Sequence, residues 1–228
     1  MPKLFVLHCP RACGERRPGL EKHLKDRGFT DTEWITDYSS DHPYVQWLHE
    51  RLKGASPAHI SGLVKGYEMF VKVLQEAKSD DEFFWKCDDD VRFIKDWDVS
   101  LPKNLIYINL SVGVNFHILP DGKPQLIYNN GGAEVFCFNR VFAKLMVDNV
   151  DTLQTSDILI HALLYNIRHP LVCVPVAQQT SLLEPKTSAN PSNPSQIHWI
   201  DFVRNFKPTG LSYIELRNAS GFFARENA

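Results

Sequence analysis

Apolar runs and helically spaced apolar positions alternate along the first part of the chain. The apolar run at Lys3–His8 predicts a buried strand, and Thr32–Thr36 predicts a second short strand. Between them, Leu20 and Leu24 share one helical face, and Gly28 marks the end of that helix. This alternation of strand and helix is typical of α/β domains.

Two further helices are predicted before residue 79. The first opens at Asp41-His42-Pro43, and its apolar face consists of Tyr44, Leu48 and Leu52. The second has the stronger signals, because Ser56 is a favoured N-cap residue and Pro57 suits the first helical position. Its apolar positions keep helical spacing for about five turns: Ile60, Leu63, Val64, Tyr67, Phe70, Val71 and Leu74.

The second half of the chain is rich in predicted strands. Pro120-Asp121-Gly122 lies between two apolar runs and predicts a hairpin turn. The predicted strands are Leu105–Leu110, Gly113–Leu119, Gln125–Tyr128, Ala133–Phe138 and Leu171–Ala177, with helices near Arg140–Val147 and Ser156–Ile167. Together with the first half, this order predicts a mixed α/β domain with a central, mainly parallel sheet flanked by helices.

Length and composition favour one globular domain. The chain has 228 residues, of which 43% are hydrophobic and 23% charged, and this suits a single domain over residues 1–228. The thin C-terminal tail leaves open that the domain is cut from a longer polypeptide. Residues 183–199 contain three prolines and are predicted to form a flexible segment. The net charge of −2 argues against a nucleic-acid partner.

The cysteines and the N-terminus bear on the compartment. The five cysteines are scattered without a CxxC pair, which favours reduced thiols over a disulfide framework. No run approaches the ~18 apolar residues of a membrane span. The N-terminus is typical of a buried strand rather than of a signal peptide. We therefore expect a soluble, cytoplasmic protein without a membrane span.

The stretch "FFWKCDDDVRF" places three consecutive carboxylates directly after an apolar strand. Buried charge is costly without compensation, and ligands of α/β sheets sit at the carboxyl ends of strands. On an extended strand end, Asp88 and Asp90 point the same way and Asp89 points the opposite way. Carboxylate oxygens are preferred ligands of Mg²⁺ and Mn²⁺, so the pair can hold a divalent cation. The alternatives are a solvated acidic turn or acids that cap a following helix.

These motifs resemble a known enzyme family. "CDDDVRF" resembles the DxD motif of nucleotide-sugar glycosyltransferases of the GT-A fold, which is Rossmann-like. "LHCPRACGERRPGLEKHLKDRGF", "SPAHISGLVKGYEMFVKVL", "NNGGAEVFCFNRVFAKLM" and "TSDILIHALL" are similar, in this order over residues 4–177, to segments of the lipopolysaccharide-type and collagen-galactosyltransferase-like family. The size is similar to that of the small N-terminal glycosyltransferase domain of chlorovirus capsid-glycosylating enzymes. One departure from the resemblance is the run Cys87-Asp88-Asp89-Asp90, where the bacterial family has Glu-Asp-Asp.

The resemblance implies a metal-dependent hexosyltransferase that moves a sugar from a nucleotide-diphosphate donor, with a UDP-sugar expected, to a hydroxyl of a glycan or glycoprotein. Mn²⁺ or Mg²⁺ would be held by Asp90, Asp88 and His198. The residues implied to contact the donor are Asp88, Asp89, His59, Lys65, Arg11, Gly131 and Gly132. Asp157 would be the general base if the reaction inverts the sugar configuration.

Each of these residues also has an ordinary structural explanation. Asp157 at the start of a helix is favoured by the helix dipole, and a lone histidine such as His198 or His59 is often structural. Lys65 lies off the apolar stripe, which fits a solvated helix face. Two other functions also stay open: a metal-dependent phosphatase or phosphotransferase, and a non-catalytic module that binds nucleotide sugars.

Overall fold

A computed structural model of the chain describes residues 2–10, 14–51, 56–93, 105–111, 116–118, 124–126, 134–149, 160, 163–169 and 172–179. The predicted flexible segment 183–199 and the predicted turn at residues 120–122 lie outside these ranges. Of the predicted helix at residues 156–167, the described residues 160 and 163–166 are helical.

Most predicted elements are present within a few residues of their expected bounds. The helices are α1 (Arg16–Asp26), α2 (Pro43–Arg51), α3 (Pro57–Glu76) and α4 (Arg140–Asp148). The strands are β1 (Leu4–Leu7), β2 (Thr32–Ile35), β3 (Phe83–Asp88), β4 (Val91–Phe93), β5 (Tyr107–Ser111), β6 (Phe116–Ile118), β7 (Pro124–Leu126), β8 (Val135–Asn139) and β9 (Val172–Gln179).

Local chemistry sets the helix ends. The Ser56 side chain accepts a hydrogen bond from the backbone N–H of His59, as expected of an N-cap residue. Asn139 caps α4 in the same way, accepting from the backbone N–H of Phe142. Gly28, just beyond α1, has a φ of 84°, a conformation that glycine adopts without a steric penalty. The predicted start of α3 and end of α1 are therefore confirmed.

Seven described strands form one sheet in the order β2-β1-β3-β8-β5-β9-β4, and β6 and β7 form a separate antiparallel pair. Strands β2, β1, β3, β5 and β9 run in one direction, whereas β8 and β4 run in the other. The predicted class, a mixed and mainly parallel sheet flanked by helices, is confirmed.

Strand β4 is a feature that the sequence pattern did not predict. It is an edge strand of the seven-stranded sheet, yet only Asp89 and Asp90 separate it from the interior strand β3. The three residue steps from Asp88 to Val91 span at most about 11 Å of extended chain, whereas β4 lies four strand spacings from β3 in a flat sheet, about 19 Å. The sheet must therefore curl, so that its edge returns to the carboxyl end of β3. The three acids lie at this junction.

The sheet is buried on both faces. Phe5 of β1 belongs to an aromatic cluster that includes Phe138 and Phe142, on the side of α3 and α4. Its neighbours Leu4 and Val6 belong to a second cluster on the side of α1. Side chains alternate between faces along a strand, so a run of consecutive apolar residues is expected for a strand covered on both sides.

Helix α2 is present, but the prediction that Tyr44 lies on its apolar face is wrong. Leu48 is half-buried, and Leu52 lies outside the described residues. Tyr44 is 47% exposed and Val45 is the buried residue of α2. Tyr44 stacks on Trp47 at a centroid distance of 5.8 Å, and the Arg51 guanidinium lies 3.9 Å from the Trp47 ring centroid. These contacts cover part of each ring outside the core. No helix within the described residues is long and apolar enough to cross a membrane.

Candidate functional site

The three acids lie where neighbouring parallel strands end. Strands β2, β1 and β3 are parallel, so their carboxyl ends share one edge of the sheet. Leu7 of β1 is in register with Asp88 of β3, which brings the residues after each strand together. This edge is the expected place for a ligand in an α/β sheet.

The middle acid is bound by the protein itself. Asp89 is 8% exposed, and its Oδ2 lies 2.8 Å from Nδ1 of His8 and 3.3 Å from the backbone nitrogen of Cys9. Nη1 of Arg16 donates to its Oδ1 at 3.1 Å. Both carboxylate oxygens thus have partners, which lie just after β1 and at the start of α1. The predicted contact of Asp89 with a donor stays a prediction.

A buried lysine supports this corner from α3. Lys65 donates from Nζ to the backbone carbonyl of His8 at 2.8 Å, and both residues are buried. The predicted solvated position of Lys65 is therefore wrong, because the side chain reaches inward across the end of β1. His59, one to two turns earlier, is exposed, and its backbone N–H donates to the N-cap Ser56. The donor contacts predicted for Lys65 and His59 remain predictions.

Asp88 combines an ion pair with an open side. Its Oδ1 lies 2.7 Å from Nζ of Lys86, a buried side chain on the same strand, while 34% of the Asp88 side chain is exposed. Burial, followed by repulsion from Asp90 and Glu134, raises the pKa of Asp88 to about 7 despite the attraction of Lys86. Asp88 is thus a carboxylate that the fold does not fully stabilise in its charged form.

Asp90 is in a similar electrostatic position. Burial, followed by repulsion from Asp89, raises the pKa of Asp90 against the attraction of Arg16 and Lys86. When the three acids are ionised, two cations, Lys86 and Arg16, face three carboxylates. One negative charge among these five groups is left uncompensated.

The chemistry of this pair fits a divalent cation shared with a ligand. Within the described part of the chain, no group of three or more His, Cys, Asp or Glu side chains is arranged to hold a metal ion. Mg²⁺, however, is commonly bound by one or two carboxylates together with phosphate oxygens of a substrate. Asp88 and Asp90 are two carboxylates of this kind, and a bound cation would favour their charged forms, which burial and repulsion between the acids disfavour.

Several predicted site residues lie outside the described part of the chain. These are Arg11, Gly131, Gly132, Asp157 and His198. Of the predicted site residues that the structure describes, Asp88, Asp89, Asp90 and Lys65 come together where β1 and β3 end, and His59 lies in the first turn of α3, away from this group.

Two residues of the site, His8 and Lys86, were not predicted. His8 is a polar residue at the carboxyl end of β1, and this places it at the same edge of the sheet as the acids. Lys86 is a charged residue in the apolar run "FFWKC", and that break in the pattern was the available signal. Both are buried beside the acids.

Sequence comparisons leave the family open. No protein-family model and no curated protein matches the sequence.

The likeness to solved structures is limited to the general fold. A glycosyltransferase involved in glycosylating the major capsid of PBCV-1 is 11% identical, with a TM-score of 0.41 over 89% of this chain and 100% of that one. Drosophila β1,4-galactosyltransferase 7, in complex with manganese, UDP-Gal and xylobiose, is 11% identical, with a TM-score of 0.44 over 94% and 84% of the two chains. The 4-diphosphocytidyl-2C-methyl-D-erythritol synthase of Anaerococcus prevotii is 8% identical, with a TM-score of 0.42 over 90% and 99%. At 8–11% identity these likenesses carry no activity over to this chain.

Proposed function

We propose that the protein is a metal-dependent glycosyltransferase that takes its sugar from a nucleotide-diphosphate donor. The observation that carries the proposal is the pair Asp88 and Asp90, which lies at the carboxyl edge of a parallel strand with incomplete charge compensation. Carboxylates in this state bind a divalent cation favourably, because the cation supplies the missing positive charge.

The residues of the site divide the task between them. Asp88 and Asp90 would hold Mn²⁺ or Mg²⁺, which when bound neutralises charge on a departing diphosphate. Lys86 orients Asp88 through its ion pair, and this leaves the other side of that carboxylate open to a ligand. Arg16 and His8 keep Asp89 turned into the protein, so that the middle acid adds no further repulsion toward a diphosphate on the open side.

The finer assignments belong to the same proposal. The donor is a UDP-sugar and the acceptor a hydroxyl on a glycan or glycoprotein. His198 is a further metal ligand, and Asp157 is the general base if the reaction inverts the sugar configuration. Lys65, His59, Arg11, Gly131 and Gly132 contact the donor. These assignments rest on the family resemblance of the sequence motifs.

The proposal is tested by calorimetric titration of UDP into the protein with Mn²⁺, and again with a chelator. We expect binding in Mn²⁺ and none in the chelator, because the acids repel a bare diphosphate. Replacement Asp90→Ala is expected to weaken UDP binding about tenfold or more, since even indirect changes at metal sites commonly have effects of that size. Asp148→Ala is the matched control, because Asp148 is an exposed acid paired with Lys144 on α4.

Each result distinguishes between two of the possible functions. Equal UDP binding in chelator and Mn²⁺ would overturn the metal-dependent site, and unchanged binding by Asp90→Ala would remove that residue from it. Hydrolysis of a UDP-sugar by the purified protein, lost in Asp90→Ala, would distinguish an enzyme from a module that only binds nucleotide sugars. Release of inorganic phosphate from a phosphomonoester in its place would indicate a phosphatase.

A further inference from the structure

The contacts of Asp89 form a connected network at the centre of the candidate site. Asp89 lies between the two acids proposed to hold a metal, and it is the most buried of the three aspartates. Its partners come from the residues after β1 and from the first turn of α1. We call this set of Asp89, His8, Cys9 and Arg16 the Asp89 clamp.

The clamp assigns a defined role to the imidazole of His8. An ionised carboxylate can only accept hydrogen bonds, so Nδ1 of His8 must carry a proton and donate to Oδ2 of Asp89. The Cys9 backbone N–H donates to the same oxygen, and Arg16 donates to the other. Three donors from two elements thus fix the position and the plane of one carboxylate.

The histidine is itself held from two sides. Its backbone carbonyl accepts a hydrogen bond from Lys65 of α3. Its ring lies against Trp34 of β2, with centroids 5.3 Å apart in an edge-on arrangement, and the Arg17 guanidinium lies 4.5 Å from the Trp34 ring centroid. His8 therefore connects β1, β2 and α3 to the turn that carries the acids.

Stability alone does not explain such an arrangement. Removing water from a carboxylate, a guanidinium and a lysine is costly, and replacing a buried ion pair by apolar side chains is often neutral or stabilising. A buried polar network does, however, restrict a turn to one conformation when every member has a partner. Residues 88 and 90 flank Asp89 directly, so the direction of its carboxylate determines where theirs can point.

We propose that His8 is a positioning residue for the metal–diphosphate site: by holding Asp89 inward, it sets the geometry with which Asp88 and Asp90 meet the cation. This inference rests on the proposed function and deepens it. His8 acts through Asp89 and touches neither metal nor donor.

The test compares two replacements of His8 by calorimetric titration of UDP in Mn²⁺. His8→Asn keeps an N–H donor close to the position of Nδ1, so we expect UDP affinity within about threefold of wild type. His8→Leu removes the donor, and we expect affinity to fall about tenfold or more, as for other residues that orient metal ligands. Equal losses in both variants, or no loss in His8→Leu, would overturn the proposal.

A second variant guards against a simple folding defect. His8→Leu leaves the charge of Asp89 less compensated, and this can destabilise the fold. His8→Leu combined with Asp89→Asn removes that charge, and the single amide oxygen can still accept from either the Cys9 N–H or Arg16, which donate to different oxygens of the wild-type carboxylate. We expect this double variant to melt close to wild type and yet to bind UDP–Mn²⁺ about tenfold or more weakly. Wild-type affinity in the folded double variant would show that the clamp is structural only.

Failure of this inference is distinguishable from failure of the proposed function. If wild-type protein binds UDP–Mn²⁺ and the double variant binds it equally well, the positioning role of His8 alone is wrong. If wild-type protein does not bind UDP–Mn²⁺, both proposals are overturned together. Nitrogen NMR of His8 gives an independent check, since the clamp requires a protonated Nδ1 in the wild-type protein.

Discussion

At the scale of single residues, the three consecutive aspartates have three different environments. Asp89 is held by donors on both oxygens, Asp88 pairs with Lys86 on one oxygen, and Asp90 is half-buried with raised pKa. Identical side chains therefore differ in how much negative charge they can offer to a ligand. The pKa values of the two outer acids are raised, so their charged forms are less stabilised than those of free aspartates.

The raised pKa of Asp88 predicts how the stability of the protein depends on pH. Its pKa is raised from 3.8 to about 7, so between these values the folded protein binds more protons at this group than the unfolded chain does. The free energy of unfolding contributed by Asp88 therefore falls as the pH rises through this window. Asp88→Asn should lack that component. We expect the melting temperature of Asp88→Asn, relative to wild type, to rise from pH 4 to pH 8.

The control for this measurement is Asp148→Asn, on the exposed end of α4. Its melting temperature should follow that of wild type across the same pH range. Parallel curves for Asp88→Asn and wild type would show that Asp88 titrates near its ordinary value in the folded protein.

The sequence predicted that Asp89 points away from Asp88 and Asp90, but not for the right reason. The prediction assumed an extended strand end, whereas β3 ends at Asp88 and residues 89 and 90 form a turn. Asp89 points toward the end of β1 because it contacts His8 there. The partner His8 is 81 residues away in the chain. No local pattern in a single sequence pairs residues at that separation; the parallel pairing of β1 with β3 brings them together.

At the scale of elements, helix α1 is tied to the edge strand β4 by a histidine. The backbone N–H of Phe93 donates to Nε2 of His23 at 2.9 Å, and the two rings stack with centroids 6.3 Å apart. A backbone N–H at a sheet edge needs a partner, and His23 supplies one. The acceptor nitrogen must be unprotonated for this bond to exist.

The hydrogen bond that His23 accepts therefore predicts that the protein loses stability in acid. Burial, followed by repulsion from Arg92 and Arg27, lowers the pKa of His23 below 6.5, and Asp26 opposes this weakly. The unfolded chain then binds more protons here as the pH falls below 6.5. Stability contributed by the neutral ring is present above that pH and is lost as the pH falls through the lowered pKa. Denaturant unfolding of wild type between pH 7 and pH 5 should show this decline.

His23→Gln is the informative variant for this pair of elements. A glutamine side-chain oxygen can accept from the Phe93 N–H and does not titrate, so the decline should be smaller. His49→Gln, which replaces an exposed histidine on α2, should keep the wild-type decline. The same acid sensitivity in His23→Gln and wild type would exclude His23 as its source.

Element prediction failed where the tertiary partner decides the structure. Strand β4 has three residues, and its partner β9 begins about eighty residues later in the chain. So short a run carries little local signal, and pairing alone makes it a strand. The position of Tyr44 in α2 was predicted wrongly, because its ring stacks on Trp47 at the surface and does not pack in the core.

At the scale of the whole molecule, an aromatic cluster fixes α4 against the sheet. Phe142 is fully buried and contacts the rings of Phe70, Phe138 and Tyr107. Phe142→Ala should lower the free energy of unfolding by about 3–5 kcal/mol, because it leaves a large cavity. The neighbouring Val141 is 42% exposed, so Val141→Ala should change it by less than about 1 kcal/mol.

Chemical denaturation of both variants checks this pair. A loss of unfolding free energy in Phe142→Ala as small as that in Val141→Ala would mean that the core collapses around the missing ring.

The presence of a sheet buried on both faces was predictable, since consecutive apolar residues in several strands indicate burial on both faces. The curl that returns β4 to β3 was not, because it depends on how distant strands pair.

The position of β3 inside the sheet has a consequence for folding during synthesis. β1 emerges first during synthesis, but Asp89, which meets His8, follows 81 residues later. At about 5–20 residues per second, the ribosome needs roughly 4–16 s to supply it. The other neighbour of β3, β8, comes later still. Until then β1 can pair with β2 but not with β3, and the cluster that Phe5 shares with Phe138 and Phe142 is incomplete.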